Sequence, residues 1–280
     1  MNKLELQKTA VEVRKGIIEG VHSAKAGHPG GSLSATDCMV YLYFEEMKNI
    51  DPDDPKKPDR DRFVLSKGHC APALYSVLAN RGYFPVEELL TLRHIDSRLQ
   101  GHPCIQDTPG VDMTTGSLGQ GISAAVGMAL AGKLRGDDYR VYAMLGDGEI
   151  EEGQVWEAAM LAGNRKLDNL CVIVDNNNMQ IDGKLEEVNA PYPIDKKFEA
   201  FNFHVINVAD GNDFDQLEAA FKEARETKGA PTCIVMKTLK GKGVSYMEGQ
   251  VGWHGKAPND EEYAIAMEEL RKAGEALCQK

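Results

Sequence analysis

Two oxygen-rich turns are the first places where this chain of 280 residues could do chemistry. Gly146-Asp147-Gly148-Glu149 follows the apolar run Val141–Leu145, and Asp175-Asn176-Asn177-Asn178 follows Leu170–Val174. The glycines let the backbone turn sharply and approach a ligand closely. If the two runs are neighbouring strands, Asp147 and an asparagine project toward one point, although 30 positions separate Asp147 from Asn177. A carboxylate and a carboxamide oxygen suit a hard cation such as magnesium, which keeps coordination positions open for water and phosphate. Singly, each segment is an ordinary turn. Each directly following a buried run, they point to a site.

A third place is Thr114-Thr115-Gly116-Ser117-Leu118-Gly119-Gln120-Gly121, which opens a helix of small residues. Free N–H groups and the positive helix end make such a turn a cradle for an anion. Its glycine order is not the dinucleotide fingerprint. Gly127 and Gly132-Lys133 imitate a P-loop, but Leu134 stands where a hydroxyl must hold the metal, so that reading is rejected. Asp51-Pro52-Asp53-Asp54 likewise imitates a calcium loop but has proline where a tight turn is required. The fourth feature is histidine beside glycine or proline: Gly27-His28-Pro29, Gly68-His69, Gly101-His102-Pro103 and His254-Gly255. Imidazoles in such turns reach ligands and relay protons near neutral pH. His22, His94 and His204 lack that context and receive no role.

The elements that must position these groups are α/β. Apolar runs at 63–65, 141–145, 170–174, 204–208 and 232–236 alternate with helices near 70–80, 119–134, 152–163 and 213–227, the mark of a parallel β-sheet flanked by helices. Leu6, Ala10, Val13, Ile17 and Val21 draw an amphipathic helix at the start, ended by Gly27–Gly31, and a second helix is expected from about Ser34 to Met47. Prolines 52, 55 and 58 make 51–61 a surface loop. No composition break divides the chain, so residues 1–280 are expected to form one domain. In open sheets of this kind ligands bind beyond the carboxyl ends of the strands, which is where the acid and amide turns fall.

The balance of charge narrows the partners. Lys and Arg total 32 against 43 Asp and Glu, a net −11, and a nucleic-acid groove needs a concentrated basic face. No apolar run approaches the ~20 residues of a membrane span. The six cysteines show no zinc-ligand or CxxC spacing and read as reduced thiols. A cytoplasmic location is expected.

Taken together, the segments Ala26–Gly30, Leu65–His69, Gly101–Pro103, Thr115–Gly121, Gly146–Gly148 with Asn177, and His254–Pro258 resemble transketolase, within the thiamine-diphosphate enzymes. The likeness runs along essentially the whole chain but covers the diphosphate-binding part alone. It therefore looks like the N-terminal subunit of a split transketolase with the thiamine-diphosphate-binding fold. The resemblance implies that Asp147, Asn177 and the carbonyl of Met179 hold magnesium. It also implies that His69, Gly116, Ser117, Leu118, Gly148, Asn177 and His254 contact thiamine diphosphate. His28, His102 and His254 match catalytic histidines facing the sugar, and Glu152 and Glu157 match acids at a subunit interface. Ser117 replaces the family's more common proline. The implied reaction carries a two-carbon ketol group from a ketose phosphate to an aldose phosphate. It needs a glutamate from the pyrimidine-binding part, so a separate C-terminal subunit in an α2β2 assembly is expected. The rivals are another half-enzyme of the thiamine-diphosphate group (dihydroxyacetone synthase, deoxyxylulose-phosphate synthase or a 2-oxo acid dehydrogenase subunit) and a non-catalytic module binding magnesium and a diphosphate. The run of histidines suits a ketose better than a 2-oxo acid.

Overall fold

The five apolar runs form five strands in the computed structural model, which describes residues 1–279. They are β1 (Arg62–Leu65), β2 (Val141–Gly146), β3 (Leu170–Asn176), β4 (His204–Val208) and β5 (Thr232–Lys237). All pair in parallel in one sheet of order β1-β2-β3-β5-β4. The helices are α1 (Lys3–Ala24), α2 (Pro29–Tyr41), α3 (Ala71–Arg81), α4 (Gln120–Arg135), α5 (Gly153–Asn164), the single turn α6 (Leu185–Val188), α7 (Ile194–Ala200), α8 (Phe214–Glu226) and α9 (Asp260–Cys278).

Successive strand residues point to opposite faces, and here both faces are covered, which is why the strands read as apolar runs without alternation. Tyr142, Met144, Cys171, Ile173, Ile234 and Met236 join a core with α1, α2, α3, α8 and α9. Val141, Ala143, Leu145, Val172, Val174 and Cys233 join a second core with α4, α5 and α7. Each large aliphatic side chain fully buried this way contributes about 1.5–3 kcal/mol.

Helix α1 carries the expected stripe: Leu6, Ala10, Val13, Ile17 and Val21 are each at most 4% exposed. Its start is fixed by a reciprocal cap in which Glu5 N donates to Asn2 Oδ1 at 2.9 Å and Asn2 N donates to Glu5 Oε2 at 2.7 Å.

The segment expected to separate α1 from a helix near Ser34 instead begins α2. Pro29 stands in the first turn, where its missing N–H costs nothing. Every residue of α2 is buried, so no polar face marks its start in the sequence. A Cβ on Gly30 would lie 2.7 Å from the Trp253 carbonyl oxygen, so this glycine serves close packing inside a helix. The helix ends at Tyr41 and a π turn, Leu42–Glu46, follows it. Two further corrections concern polar sequence. β3 runs on through Asp175 and Asn176, which pair with Met236 and Lys237 of β5. Helices α6 and α7 lie in a stretch where none was expected.

β1 is an edge strand, and side chains occupy two of its outward backbone groups. Phe63 N donates to Asp112 Oδ2 at 2.9 Å, and Thr115 Oγ1 donates to the Leu65 carbonyl at 2.7 Å. The six cysteines are free, four of them buried. Among the described residues no helix is long and apolar enough to cross a membrane.

Candidate active site

β2 and β3 are neighbours with Gly146 opposite Asp175, so the acid and amide turns leave the sheet side by side. Asp147 is 1% exposed. Its Oδ1 accepts from Gly148 N at 2.9 Å and its Oδ2 from Asn178 N at 2.5 Å. Asn178 takes a left-handed backbone, φ 63°, which asparagine tolerates better than most residues and which folds the 177–179 turn back over Asp147. Asn177 Oδ1 accepts from Met179 N at 3.2 Å. Burial, and then the neighbouring Asp175 carboxylate, push the Asp147 carboxyl up to about 7. A divalent cation beside it would remove that conflict by favouring the charged form. Among the described residues no three His, Cys, Asp or Glu side chains cluster as metal ligands. One aspartate, one amide and one backbone carbonyl form the kind of oxygen set that magnesium takes.

Beneath this turn lies a buried ion pair. Lys67, 2% exposed, donates to Asp175, which is wholly buried. Asp175 also accepts from Ser34 Oγ at 2.6 Å, from Thr238 Oγ1 and from Asn177 Nδ2 at 3.4 Å. Burial opposes both charges. Their attraction prevails, holding the Asp175 carboxyl below its usual range and the Lys67 ammonium above its own.

These groups form one side of a cavity of about 510 Å³. The other sides bring together most of the residues the sequence singled out. Asp147, Gly148, Asn177, Met179, Gly116, Leu118, His28, His69, His254 and Glu152 all line it. His102, Ser117 and Glu157 do not. His102 is exposed and stands beside Gly116, its ring 3.4 Å from where a Cβ there would sit. Ser117 and Glu157 are exposed, Glu157 on α5.

Three of the histidines form one wall. The His28 ring centroid is 5.1 Å from His69 and 5.5 Å from His254, and His69 is 5.2 Å from His254. Burial first, and then nearby cations, hold all three imidazoles neutral. His28 is lowered to about 4, with Arg93 the next cause, and His254 to about 3, with Lys240 the next. His69 lies well below its ordinary value, through burial and Lys67.

Lys240 is the main residue the sequence reading missed. It is 2% exposed, and its Nζ lies 3.0 Å from His254 Nδ1 and 3.3 Å from the Met179 carbonyl. Burial lowers its ammonium to about 8. An ammonium donating to Nδ1 fixes the His254 tautomer with its proton on Nε2. A signal was present, because Lys240 stands just past the carboxyl end of β5, where the rule that located Asp147 also applies. Lys67, Glu149, Gln180 and Ile181 also line the cavity without having been assigned roles there.

The glycine-rich turn is held against the loop after β1. A Cβ on Gly68 would fall 2.8 Å from Gly116 N, and one on Gly121 would fall 2.7 Å from Ser66 Cα. Gly119 caps α4 at φ 81° with no side-chain cap bond, and Gly116 and Leu118 of the turn before it line the cavity. Three cavity-lining residues keep a buried polar atom without a hydrogen-bond partner among the described residues: His28 Nδ1, Glu151 Oε1 and Gln180 Nε2. Buried polar groups are normally satisfied, so unpartnered atoms here fit a site completed by a ligand.

A parallel sheet whose strand ends hold a buried acid and amide, facing a cavity of neutral imidazoles and lysines, defines a domain built for a phosphorylated ligand. The chain belongs to the family of the transketolase thiamine diphosphate binding domain, which it matches over residues 6–273. It is 46% identical over 272 residues to the 6-deoxy-6-sulfo-D-fructose transketolase subunit SqwG of Clostridium sp. (strain MSTE9), covering 97% of this chain and 98% of that one. It is 43% identical to an apulose-4-phosphate transketolase subunit of Phocaeicola vulgatus, covering 98% and 96%. Transketolase from Campylobacter jejuni superposes with a TM-score of 0.90 at 32% identity, covering 99% of this chain and 46% of that one. The chain thus spans about half the length of that solved transketolase and nearly all of the two subunits.

Proposed function

We propose that this chain is the diphosphate-binding subunit of a split transketolase, active with a second chain that supplies the pyrimidine-binding part. The observation that carries the reading is the meeting, in one cavity, of Asp147, Asn177 and Met179 with the neutral histidines 28, 69 and 254. Asp147, Asn177 and the Met179 carbonyl would hold a magnesium ion. The turn at Gly116, Ser117 and Leu118, together with Gly148, His69, His254 and Lys240, would hold the diphosphate. Leu118 and Ile181 supply apolar surface. Bound there, thiamine diphosphate supplies the electron sink for breaking and remaking a carbon–carbon bond next to a ketose carbonyl.

The chain's own residues do the rest. Neutral His28, with His102 at the rim, can accept a proton from a sugar hydroxyl, becoming an imidazolium for the moment, and return that proton to an oxygen. His254, with its proton fixed on Nε2, is set to donate from that atom. Lys240 and Lys67 favour an anion over a neutral ligand.

The two subunits similar to this chain are named for a sulfonated fructose and for apulose 4-phosphate. Both sugars carry an anionic group away from the reacting end, so the substrate class is a ketose with a terminal anion, a ketose phosphate included. Glu152 at the cavity wall and Glu157, exposed on α5, suit contact with another subunit in an α2β2 assembly.

The test is to mix the chain with a candidate C-terminal subunit, thiamine diphosphate, magnesium, xylulose 5-phosphate and ribose 5-phosphate, and to measure glyceraldehyde 3-phosphate. Product requiring both chains is expected. Turnover by this chain alone would overturn the split arrangement, and cofactor binding without turnover under any pairing would favour a regulatory module.

A further inference from the structure

Glu149 has no part in the assignments above, yet it is the most highly bonded carboxylate of the β2 turn. It is 2% exposed. Its Oε1 accepts from Ser66 Oγ and from Gly119 N, the latter at 2.9 Å, and its Oε2 accepts from Gly146 N at 3.0 Å. No Lys or Arg side chain bonds to it among the described residues; its charge is met by hydroxyl and backbone donors.

The three donors come from three separate pieces of the site. Ser66 leads into Lys67, Gly68 and His69, Gly119 closes the turn of Gly116 and Leu118, and Gly146 leads into Asp147. A single side chain therefore spans the loop after β1, the start of α4 and the end of β2. The first two also touch backbone to backbone at Gly68 and Gly121, leaving little room for adjustment by other side chains. Both backbone donors are N–H groups, so the group between them must accept on both oxygens. A carboxylate does this, and a carboxamide of the same shape cannot.

We propose that Glu149 is a positioning residue that assembles the diphosphate cradle by accepting from all three loops at once. It touches neither cation nor diphosphate and acts through the loops that do. The inference rests on the proposed function, since the cradle's ligand is taken to be thiamine diphosphate.

The substitution Glu149→Gln keeps the volume but turns an N–H donor toward Gly119 or Gly146. Its expected effect is a weakening of magnesium–thiamine diphosphate binding by about tenfold or more, read by calorimetry, because a hydrogen bond to a charged group is lost and a donor is left unmatched. Assayed with the partner chain at saturating cofactor, kcat should stay within about threefold of wild type, since ligand in excess rebuilds the cradle. In the chain without ligand, amide exchange should speed up at Gly119 and Gly146 and stay unchanged in the centre of β3. Ser66→Ala, a milder change, should move binding and exchange at Gly119 the same way by a smaller factor. Unchanged cofactor affinity and unchanged exchange in Glu149→Gln would overturn the inference, as would a kcat loss that saturating cofactor leaves in place. If wild type itself fails to bind thiamine diphosphate, the proposed function falls. The exchange at Gly119 and Gly146 then still decides whether Glu149 holds the loops.

Discussion

The two ends of the sheet handle buried charge in opposite ways. At the amino ends of the strands the carboxylates find partners inside the chain. Asp61 accepts from Lys48 N at 2.8 Å and Arg140 N at 2.7 Å, and Glu46 accepts from Tyr142 OH at 2.8 Å and pairs with Arg225, although burial still raises both carboxyls. At the carboxyl ends, the Lys67–Asp175 pair and Glu149 aside, charge is left in conflict. Asp147 is pushed up to about 7, Lys240 is drawn down to about 8, and three imidazoles are kept neutral beside two lysines. Compensation within the chain marks charge that serves the fold. Charge that stays uncompensated marks where a cation and an anion belong.

The sharpest break in this contrast would come from Lys67→Met, which leaves Asp175 buried without its cation. A loss of about 3–5 kcal/mol is expected from urea unfolding. Arg225→Met at the amino end removes a partner that is 35% exposed and should cost about 1 kcal/mol. Equal losses would mean that burial of the cation does not set what each pair contributes to the fold. Next in size is Asp147→Ala. Magnesium-dependent binding of thiamine diphosphate should weaken by about a hundredfold or more, while the stability of the ligand-free chain changes much less, because relief of a buried, disfavoured carboxylate offsets the lost bonds from Gly148 N and Asn178 N. Unchanged affinity by calorimetry would reduce Gly146-Asp147-Gly148 to a turn.

The smallest effect concerns pH. His28 and His254 are lowered from 6.5 to about 4 and about 3 in the folded chain. Between pH 6.5 and about 4 the unfolded chain therefore binds protons that the folded chain refuses, and stability falls as pH falls through that window. Between pH 7 and 5 the two imidazoles together cost roughly 4 kcal/mol, while Asp147, raised to about 7, takes up a proton in the folded chain and offsets roughly 2, so urea midpoints should show a net fall of roughly 2 kcal/mol, with pyrophosphate reducing the loss. The substitution His254→Gln should flatten the slope, and an unaltered slope would detach the imidazoles from the conflict.

The strands and the acid and amide turns were legible because a parallel sheet covered on both faces leaves long apolar signatures, with polar residues at their ends. Helix α2 was misplaced for the complementary reason: all of it is buried, so no periodicity marks where it begins. The bonds among Ser66, Gly119 and Glu149, or among Ser34, Lys67, Asp175 and Thr238, join residues far apart in the chain, and no local pattern announces them. Lys240 was passed over because its cluster of lysines reads as a solvated loop, although it sits 2% exposed in the cavity.

The occupied edge of β1 bears on how this chain meets others. Asp112 and Thr115 take the outward Phe63 N–H and Leu65 carbonyl, so an incoming strand finds few free backbone groups on which to add. Association on that side must proceed through side-chain surfaces, and the sheet is guarded there against the edge-to-edge growth by which exposed strands aggregate.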